Sequence, residues 1–191
     1  MHVRPGLAAL GLVALLAACA RAPTRFHTLD PVPPAVTAAG RPLATPVRLD
    51  SVTVPPELDR PQIVRRAGPG RLDVAGDDRW AGALDELARN ALAADLALRL
   101  PPGATVLADD PAPPRPLRTI DVVIDRFEGE AAGPVTLAVH WTLLGDGPDR
   151  VLARHEERID VPAAPGDLDG TVTAMSTALG VLADRIAAAL H

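Results

Sequence analysis

Three consecutive segments in the second half of the chain alternate apolar and polar residues, and this alternation restricts the possible folds more than any other feature. Because successive residues of a strand point to opposite faces of a sheet, alternate residues of each segment share one face, which is apolar in the first two segments and mixed in the third. These faces carry Ile120, Val122 and Ile124 in the first segment, Val135, Leu137, Val139, Trp141 and Leu143 in the second, and Val151, Ala153, His155, Glu157, Ile159 and Val161 in the third. Turn-forming stretches, GEAAGP and GDGPD, separate the segments, so the pattern predicts a three-stranded antiparallel meander.

Shorter strand signals lie upstream of this meander. Residues 47–54 alternate with a change of face after Leu49, which indicates a strand interrupted by a bulge. Residues 62–66 and 71–74 flank the sequence AGPG, whose glycines favour the turn of a β-hairpin. The sequence TVLAD, residues 105–109, predicts one further short strand.

Two other segments show the three- and four-residue spacing of amphipathic helices. The apolar stripes consist of Trp80, Leu84, Leu87, Ala91, Ala94 and Leu98 in the first segment and of Leu168, Val172, Met175, Leu179, Leu182, Ile186 and Leu190 in the second. Asp77 or Asp78 is predicted to cap the first helix by accepting a hydrogen bond from a free backbone amide. Each stripe needs a sheet face for burial, because an isolated helix of this length is only marginally stable.

The order of elements is strands, helix, strands, helix, and it predicts an α/β (α+β) domain over residues 47–191. In this domain the two amphipathic helices pack on a mixed, largely antiparallel sheet.

The amino terminus has the features of a bacterial lipoprotein signal. Residues 1–18 combine a weakly basic start with the apolar stretch GLAALGLVALLAA, which is shorter than the roughly 20 apolar residues that span a bilayer. The sequence LAAC at residues 16–19 resembles the lipobox, in which the cysteine thiol receives a diacylglyceryl group, the signal is removed and the new amino terminus is acylated. The prediction is a covalent lipid on Cys19, the only cysteine, and Ala20 resembles lipoproteins sorted to the outer membrane. The alternative is a plain secretory signal followed by an unmodified cysteine.

Residues 19–46 are rich in proline and small residues and lack an apolar period, which predicts an extended tether. Within this tether the sequence RFHTLDP, residues 25–31, alternates and could add an edge strand to the domain.

Composition and residue spacing argue against several classes of function. The net charge of −5 and the lack of a visible arginine cluster argue against nucleic-acid binding. The five histidines lack the close pairing of a zinc site, so neither a metal nor a cofactor other than the covalent lipid is expected. Ser51 and Ser176, the two serines, lie outside any G-x-S-x-G turn, and the absence of lysine rules out a phosphate-binding loop of the GK[ST] type. We expect a binding or scaffolding protein rather than an enzyme.

Five stretches resemble the PqiC family of ABC-type transport auxiliary lipoproteins. They are FHTLDP, LDRPQIVRR at residues 58–66, DDRWAGALDELARNALAADL at residues 77–96, the alternating strands, and MSTALGVLADRIAAAL near the end, and they follow the lipobox in the family's order. The resemblance implies a mixed sheet of about five strands with helices, similar to anticodon-binding and TolB amino-terminal domains. Many members have paired tyrosines where this chain has Phe26 and His27, so the role of those two rings is open here.

The resemblance also implies a role and partners. Its members act with an MCE-domain (PqiB-like) protein and an ABC permease in lipid transport across the Gram-negative envelope, anchored at the periplasmic face of the outer membrane. Some work as ring-shaped homo-oligomers. An accessory lipoprotein of the cell wall or of outer-membrane assembly is the alternative function.

The candidate partner-binding residues are Asp59, Arg60, Pro61 and Gln62, in a loop between strands, together with Arg79. Arginine and glutamine can offer paired donors to the carboxylates or backbone of a partner. A structural turn with an internal ion pair explains the loop equally well. Trp80 is expected in the core, and His155 and Glu157 are expected on a cross-strand charged face rather than in a metal site.

Overall fold

The computed structural model describes residues 23–34, 43–106, 111, 116–130, 133–146, 150–164 and 166–190. The strands in this part of the chain are β1 (Arg25–His27), β2 (Val47–Thr53), β3 (Gln62–Gly68), β4 (Arg71–Trp80), β5 (Thr105–Val106), β6 (Arg118–Glu130), β7 (Val135–Leu144) and β8 (Val151–Val161). The helices are α1 (Leu84–Arg99) and α2 (Leu168–Ala189).

Strand β6 organises the sheet because it pairs with a long strand on one side and with two shorter strands on the other. Along its length it pairs antiparallel with β7, which in turn pairs antiparallel with β8. On the other side the first half of β6 pairs parallel with β2, and its end pairs parallel with β3. The sheet then continues from β3 to the antiparallel β4 and the parallel edge strand β1, while β5 pairs parallel with β2.

The predicted mixed sheet with two packed helices is confirmed, and the meander is formed by β6, β7 and β8. Within the described residues the sheet has eight strands rather than about five. The difference arises because β1 and β5 are only three and two residues long and because the hairpin of β3 and β4 joins the same sheet. The bulge predicted in β2 is present as a register shift between Leu49 and Ser51.

Both helices cover one face of the sheet and contact each other. The buried face carries every apolar residue predicted for the first two meander strands: Ile120, Val122, Ile124, Val135, Leu137, Val139, Trp141 and Leu143. All seven residues of the predicted stripe of α2 are buried as well. Although α2 is long and apolar enough to span a membrane, it is largely buried against the sheet, as expected for the central helix of a folded domain.

The start of α1 differs from the prediction. Residues 71–80 form one continuous strand, so Asp77 and Asp78 lie in β4 and do not cap a helix, and α1 begins only at Leu84 without a side-chain cap. Its buried stripe consists of Leu84, Ala88, Ala91, Leu92, Asp95, Leu96 and Arg99. Leu98 is 47% exposed, because the stripe turns toward two buried charged residues that an apolar pattern does not reveal.

The segment from Arg25 to Val32, here called the N-terminal arm (residues 25–32), packs onto this domain. It begins with the edge strand β1, as the alternation of residues 25–31 predicts, and continues with Leu29, which is 5% exposed. The Asp30 amide donates to Ser176 Oγ (3.2 Å) in α2. The folded domain therefore includes residues that the sequence assigns to the tether before residue 47.

Arg99 fixes the end of the arm between the two helices. The Val32 amide donates to Asp95 Oδ1 (2.8 Å), and Arg99 Nη1 donates both to the Val32 carbonyl (3.0 Å) and to Asp95 Oδ1 (3.2 Å). Arg99 Nε also donates to Asp184 Oδ1 (2.6 Å) in α2. Burial raises the pKa of Asp95, while the Val32 amide and the Arg99 guanidinium oppose that shift. We call Asp95, Arg99, Asp184 and Val32 the arm clamp.

Replacing Arg99→Ala removes the cation from the arm clamp and leaves the Asp95 carboxyl buried without it. Breaking a buried ion pair in this way costs about 3 kcal/mol, so we expect a loss of that size in the free energy of unfolding, measured by urea denaturation. Arg89→Ala, on the same helix but outside the arm clamp, is the matched control and should change stability by less than about 0.5 kcal/mol. Equal losses in the two variants would contradict a special role for Arg99.

Candidate functional site

The five candidate partner-binding residues lie together at one end of the hairpin of β3 and β4. Asp59, Arg60 and Pro61 form the exposed loop that leads into β3, and Gln62 is the cross-strand partner of Arg79. The Trp80 amide donates to the Pro61 carbonyl (2.7 Å), which fixes the loop against the end of β4. The structure therefore brings together residues that stand about twenty positions apart in the sequence.

The loop is held from below by the core. Leu58 is 2% exposed, and its amide donates to the Pro55 carbonyl (2.9 Å), as does the Asp59 amide (3.2 Å). The Arg60 amide donates to the Leu58 carbonyl (2.8 Å). These bonds form a tight turn that needs no ion pair, and its polar side chains remain at the surface.

A cleft of about 360 Å³ opens between this loop and the connection from β4 to α1. It is lined by Asp59, Arg60, Pro61, Trp80, Ala81, Gly82 and Ala83. Trp80 is 4% exposed, in agreement with its predicted place in the core, so it forms the floor rather than a protruding contact. Small and apolar groups thus line most of the cleft, with the Arg60 and Asp59 side chains at its rim.

The N-terminal arm extends this surface. The His27 carbonyl accepts a hydrogen bond from the Ala81 amide (2.8 Å), and Phe26 is the cross-strand partner of Arg79. Phe26 is 67% exposed, the largest exposure of any large hydrophobic residue in the described part of the chain. The exposed Arg79 therefore lies between an exposed aromatic ring and the half-buried Gln62.

On the other face of β1, His27 and Arg25 bind Asp78. Arg25 Nε lies 2.7 Å from Asp78 Oδ1, and its Nη2 donates to Asp78 Oδ2 (3.0 Å). The His27 Nε2 atom lies 2.8 Å from Asp78 Oδ1, and its Nδ1 atom lies 3.6 Å from Asp169 Oδ1 at the start of α2. The hydrogen bond from Arg25 is the main reason that the pKa of Asp78 is lowered. This ion-pair cluster attaches β1 to β4.

The residues of the third meander strand that the sequence singles out have structural partners. The His155 ring stacks on Trp141 with ring centroids 4.2 Å apart, and Glu157 pairs with Arg185 of α2. Among the described residues, no group of three or more His, Cys, Asp or Glu side chains is placed to hold a metal ion. The arrangement at the cleft can offer guanidinium and amide donors beside apolar surface, which suits binding of another molecule.

The sequence pattern does not reveal that Asp78 binds Arg25 and His27 or that Phe26 is exposed. The residue pattern around Asp78 fits a helix cap as well as a strand end, and only the pairing of β1 with β4 distinguishes the two. The opposite orientations of Phe26 and His27 follow from their neighbouring positions in β1. Cys19, the signal at residues 1–18 and most of the predicted tether lie outside the described residues.

Comparisons with known proteins agree in both sequence and fold. The family model described as ABC-type transport auxiliary lipoprotein component matches residues 27–187. The intermembrane transport lipoprotein PqiC of Escherichia coli (strain K12) is 30% identical over 99 residues, which cover 52% of this chain and 51% of the relative. The same protein of Shigella flexneri gives the same values. The matched region thus spans about half the length of these curated relatives.

Two crystal structures share the fold. One, of an uncharacterized protein, has a TM-score of 0.73 and 19% identity and covers 89% of this chain and 100% of the other. The second, of a protein from Xanthomonas campestris, has a TM-score of 0.68 and 17% identity and covers 86% and 93% of the two chains. At these identities the likeness supports the architecture alone.

The attachment of β1 predicts a specific acid sensitivity. Because the pKa of Asp78 is lowered in the folded state, its carboxylate stabilises the fold above the unfolded-state value of about 3.9, and this contribution is lost as the pH falls through the folded-state pKa. We expect Asp78→Asn to reduce the free energy of unfolding at pH 7 and to flatten its decline below about pH 4, as measured by urea unfolding across pH. Arg25→Gln, which removes the main cause of the shift, should flatten the decline partly. An unchanged acid limb in Asp78→Asn would contradict the assignment.

Proposed function

The chain belongs to the family of ABC-type transport auxiliary lipoproteins, and from that membership we propose that it is a docking or scaffolding subunit of an intermembrane lipid transport system. In this proposal it is anchored at the periplasmic face of the outer membrane and contacts an MCE-domain protein that works with an ABC permease. The observation that carries the proposal is that the exposed residues Asp59, Arg60 and Pro61 line the cleft, while the cross-strand pair of Gln62 and the exposed Arg79 lies at the adjoining end of the hairpin.

The proposed anchor is the acylated Cys19. A buried acyl chain contributes roughly 0.8 kcal/mol per CH₂, and two chains already give stable attachment where one gives only reversible binding. An acylated cysteine therefore attaches the domain to a bilayer and keeps its docking surface at high local concentration near a membrane-bound partner.

The proposed docking surface combines two kinds of contact. Arg60 and Arg79 are exposed, and a guanidinium can bind a carboxylate through two parallel hydrogen bonds. The adjoining cleft offers apolar surface above Trp80. Arginine and aromatic residues next to a pocket are typical of interface positions that carry most of the binding energy. The surface fits a protein partner that presents an acidic side chain next to an apolar one.

The residues of this chain bear on which subunit of such a system could hydrolyse a nucleotide. The sequence has no lysine, so a phosphate-binding loop of the GK[ST] type cannot be built from it. We propose that nucleotide hydrolysis belongs to another subunit and that this subunit is not an enzyme. Its contribution is to position the MCE-domain protein at the membrane.

The docking surface is tested by copurification from native envelopes after detergent extraction. We expect the Arg60→Ala, Arg79→Ala double variant to lose most of the MCE-domain partner, since truncating two interface arginines weakens binding by about tenfold or more. The matched control is Arg154→Ala, which removes an exposed arginine on β8 at the opposite edge of the sheet and should retain the partner.

Two other outcomes would contradict the proposal. Recovery of cell-wall fragments or of outer-membrane assembly proteins, with no MCE-domain protein, would favour the alternative class of accessory lipoprotein. An intact mass showing an unmodified Cys19 would remove the proposed anchor.

A further inference from the structure

The packing of the N-terminal arm decides how far the folded domain can lie from Cys19. A tether extending from Cys19 to residue 46 would reach about 95 Å when fully extended, at about 3.5 Å per residue. The arm removes most of that length, because β1 pairs with β4 from Arg25 onward and the arm clamp holds Val32. Four residue-to-residue steps separate Cys19 from Pro23, the first described residue, and they span at most about 14 Å.

This short connection fixes which side of the domain faces the membrane. If Cys19 carries acyl chains, its backbone lies at the bilayer surface, and β1, which begins six steps after Cys19, must lie within about 21 Å of it. The arm clamp and the Asp78 cluster hold the arm on the domain, since Val32 bonds to the buried Asp95 and Arg99 and His27 bonds to the buried Asp78.

The most exposed large apolar side chain lies at this edge. Phe26 is 67% exposed and points to the face of the sheet opposite the helices, because its neighbour His27 points to the face that holds Asp78. Phenylalanine is among the residues that interfacial segments bury at the boundary between headgroups and acyl chains.

We propose that β1 is a membrane-contacting edge and that the Phe26 ring inserts into the interfacial region of the bilayer that holds the Cys19 acyl chains. The inference rests on the proposed acylation of Cys19 and adds an orientation to the proposed function. The occupant to which we commit is a lipid bilayer rather than a protein, because the chain between anchor and ring is only seven steps, at most about 25 Å, and the ring is the most exposed large apolar side chain of the described residues. In this orientation the cleft also lies close to the bilayer, since the Ala81 amide in its lining donates a hydrogen bond to the His27 carbonyl of β1.

The proposal predicts that the MCE-domain protein contacts this protein directly at the membrane surface. The Arg79 side chain lies beside Phe26 in the sheet, and Arg60 lies on the loop across the cleft. A lipid leaving the partner at this place would have only the headgroup region to cross.

The experiment uses the full chain, acylated at Cys19 and reconstituted into phosphatidylethanolamine–phosphatidylglycerol vesicles. Since Cys19 is the only cysteine and its thiol is consumed by acylation, a single introduced cysteine can be labelled selectively. An environment-sensitive fluorophore is attached to Thr24→Cys, next to β1, or to Val151→Cys, an exposed position on β8. Both variants retain Phe26.

We expect the label at position 24 to shift to shorter emission wavelength and to lose intensity to nitroxide-bearing lipids, and the label at position 151 to do neither. Adding Phe26→Ser to the Thr24→Cys variant should reverse most of the quenching, whereas Leu98→Ser, which alters an exposed leucine on α1, should leave it unchanged. Equal quenching at positions 24 and 151 would overturn the proposed orientation.

Two further outcomes separate the alternatives. If Phe26→Ser leaves quenching unchanged but reduces copurification of the MCE-domain protein, Phe26 belongs to a protein interface and its insertion is overturned. If the intact mass shows unmodified Cys19, the proposed function fails first. Normal acylation without quenching at position 24 overturns the membrane-contacting edge alone.

Discussion

The contact between Arg99 and the end of the N-terminal arm fixes the arm against both helices of the domain. One guanidinium binds the backbone carbonyl of Val32, the buried carboxyl of Asp95 and the exposed carboxyl of Asp184, so it joins the arm to both helices at once. A buried ion pair adds little net stability compared with well-packed apolar residues, because the desolvation of both charges offsets their attraction. Its effect here is on position, because these hydrogen bonds hold the end of the arm in one place beside the two helices.

The arm links two surfaces that would otherwise be independent. Its β1 strand forms the edge of the sheet, where Phe26 is exposed, and its His27 carbonyl holds the backbone beside the cleft. Asp78 connects the two from the helix-facing side by binding both Arg25 and His27. Loss of the arm would therefore expose a longer edge on β4 and would also release one wall of the docking surface.

The fold could be predicted where local periodicity and tertiary packing favour the same structure. The meander strands and α2 are long and strongly periodic, and every residue of the α2 stripe is buried as predicted. The first helix was placed too early, because the residues around Asp78 suit a cap and a strand end equally, and the choice depends on a partner strand more than 50 positions earlier in the chain. Burial of Asp95 and Arg99 could not be foreseen, since it requires the arm to reach the groove between the helices. For the candidate site, the sequence points to the loop residues and Arg79, but it does not predict whether the Phe26 ring is buried or exposed.

Residues 26 and 27 are neighbours in β1 with opposite requirements, and the strand geometry explains why. Residue 27 faces the helices, where its side chain is 9% exposed and its imidazole Nε2 atom completes the bonding of Asp78. Residue 26 faces outward and is 67% exposed, so its chemistry is free to serve whatever lies beyond the sheet edge. A phenylalanine there presents a fully apolar ring with no polar tip. His27 therefore serves the internal bonding of the arm, whereas Phe26 makes the outer surface suited to an apolar or interfacial environment.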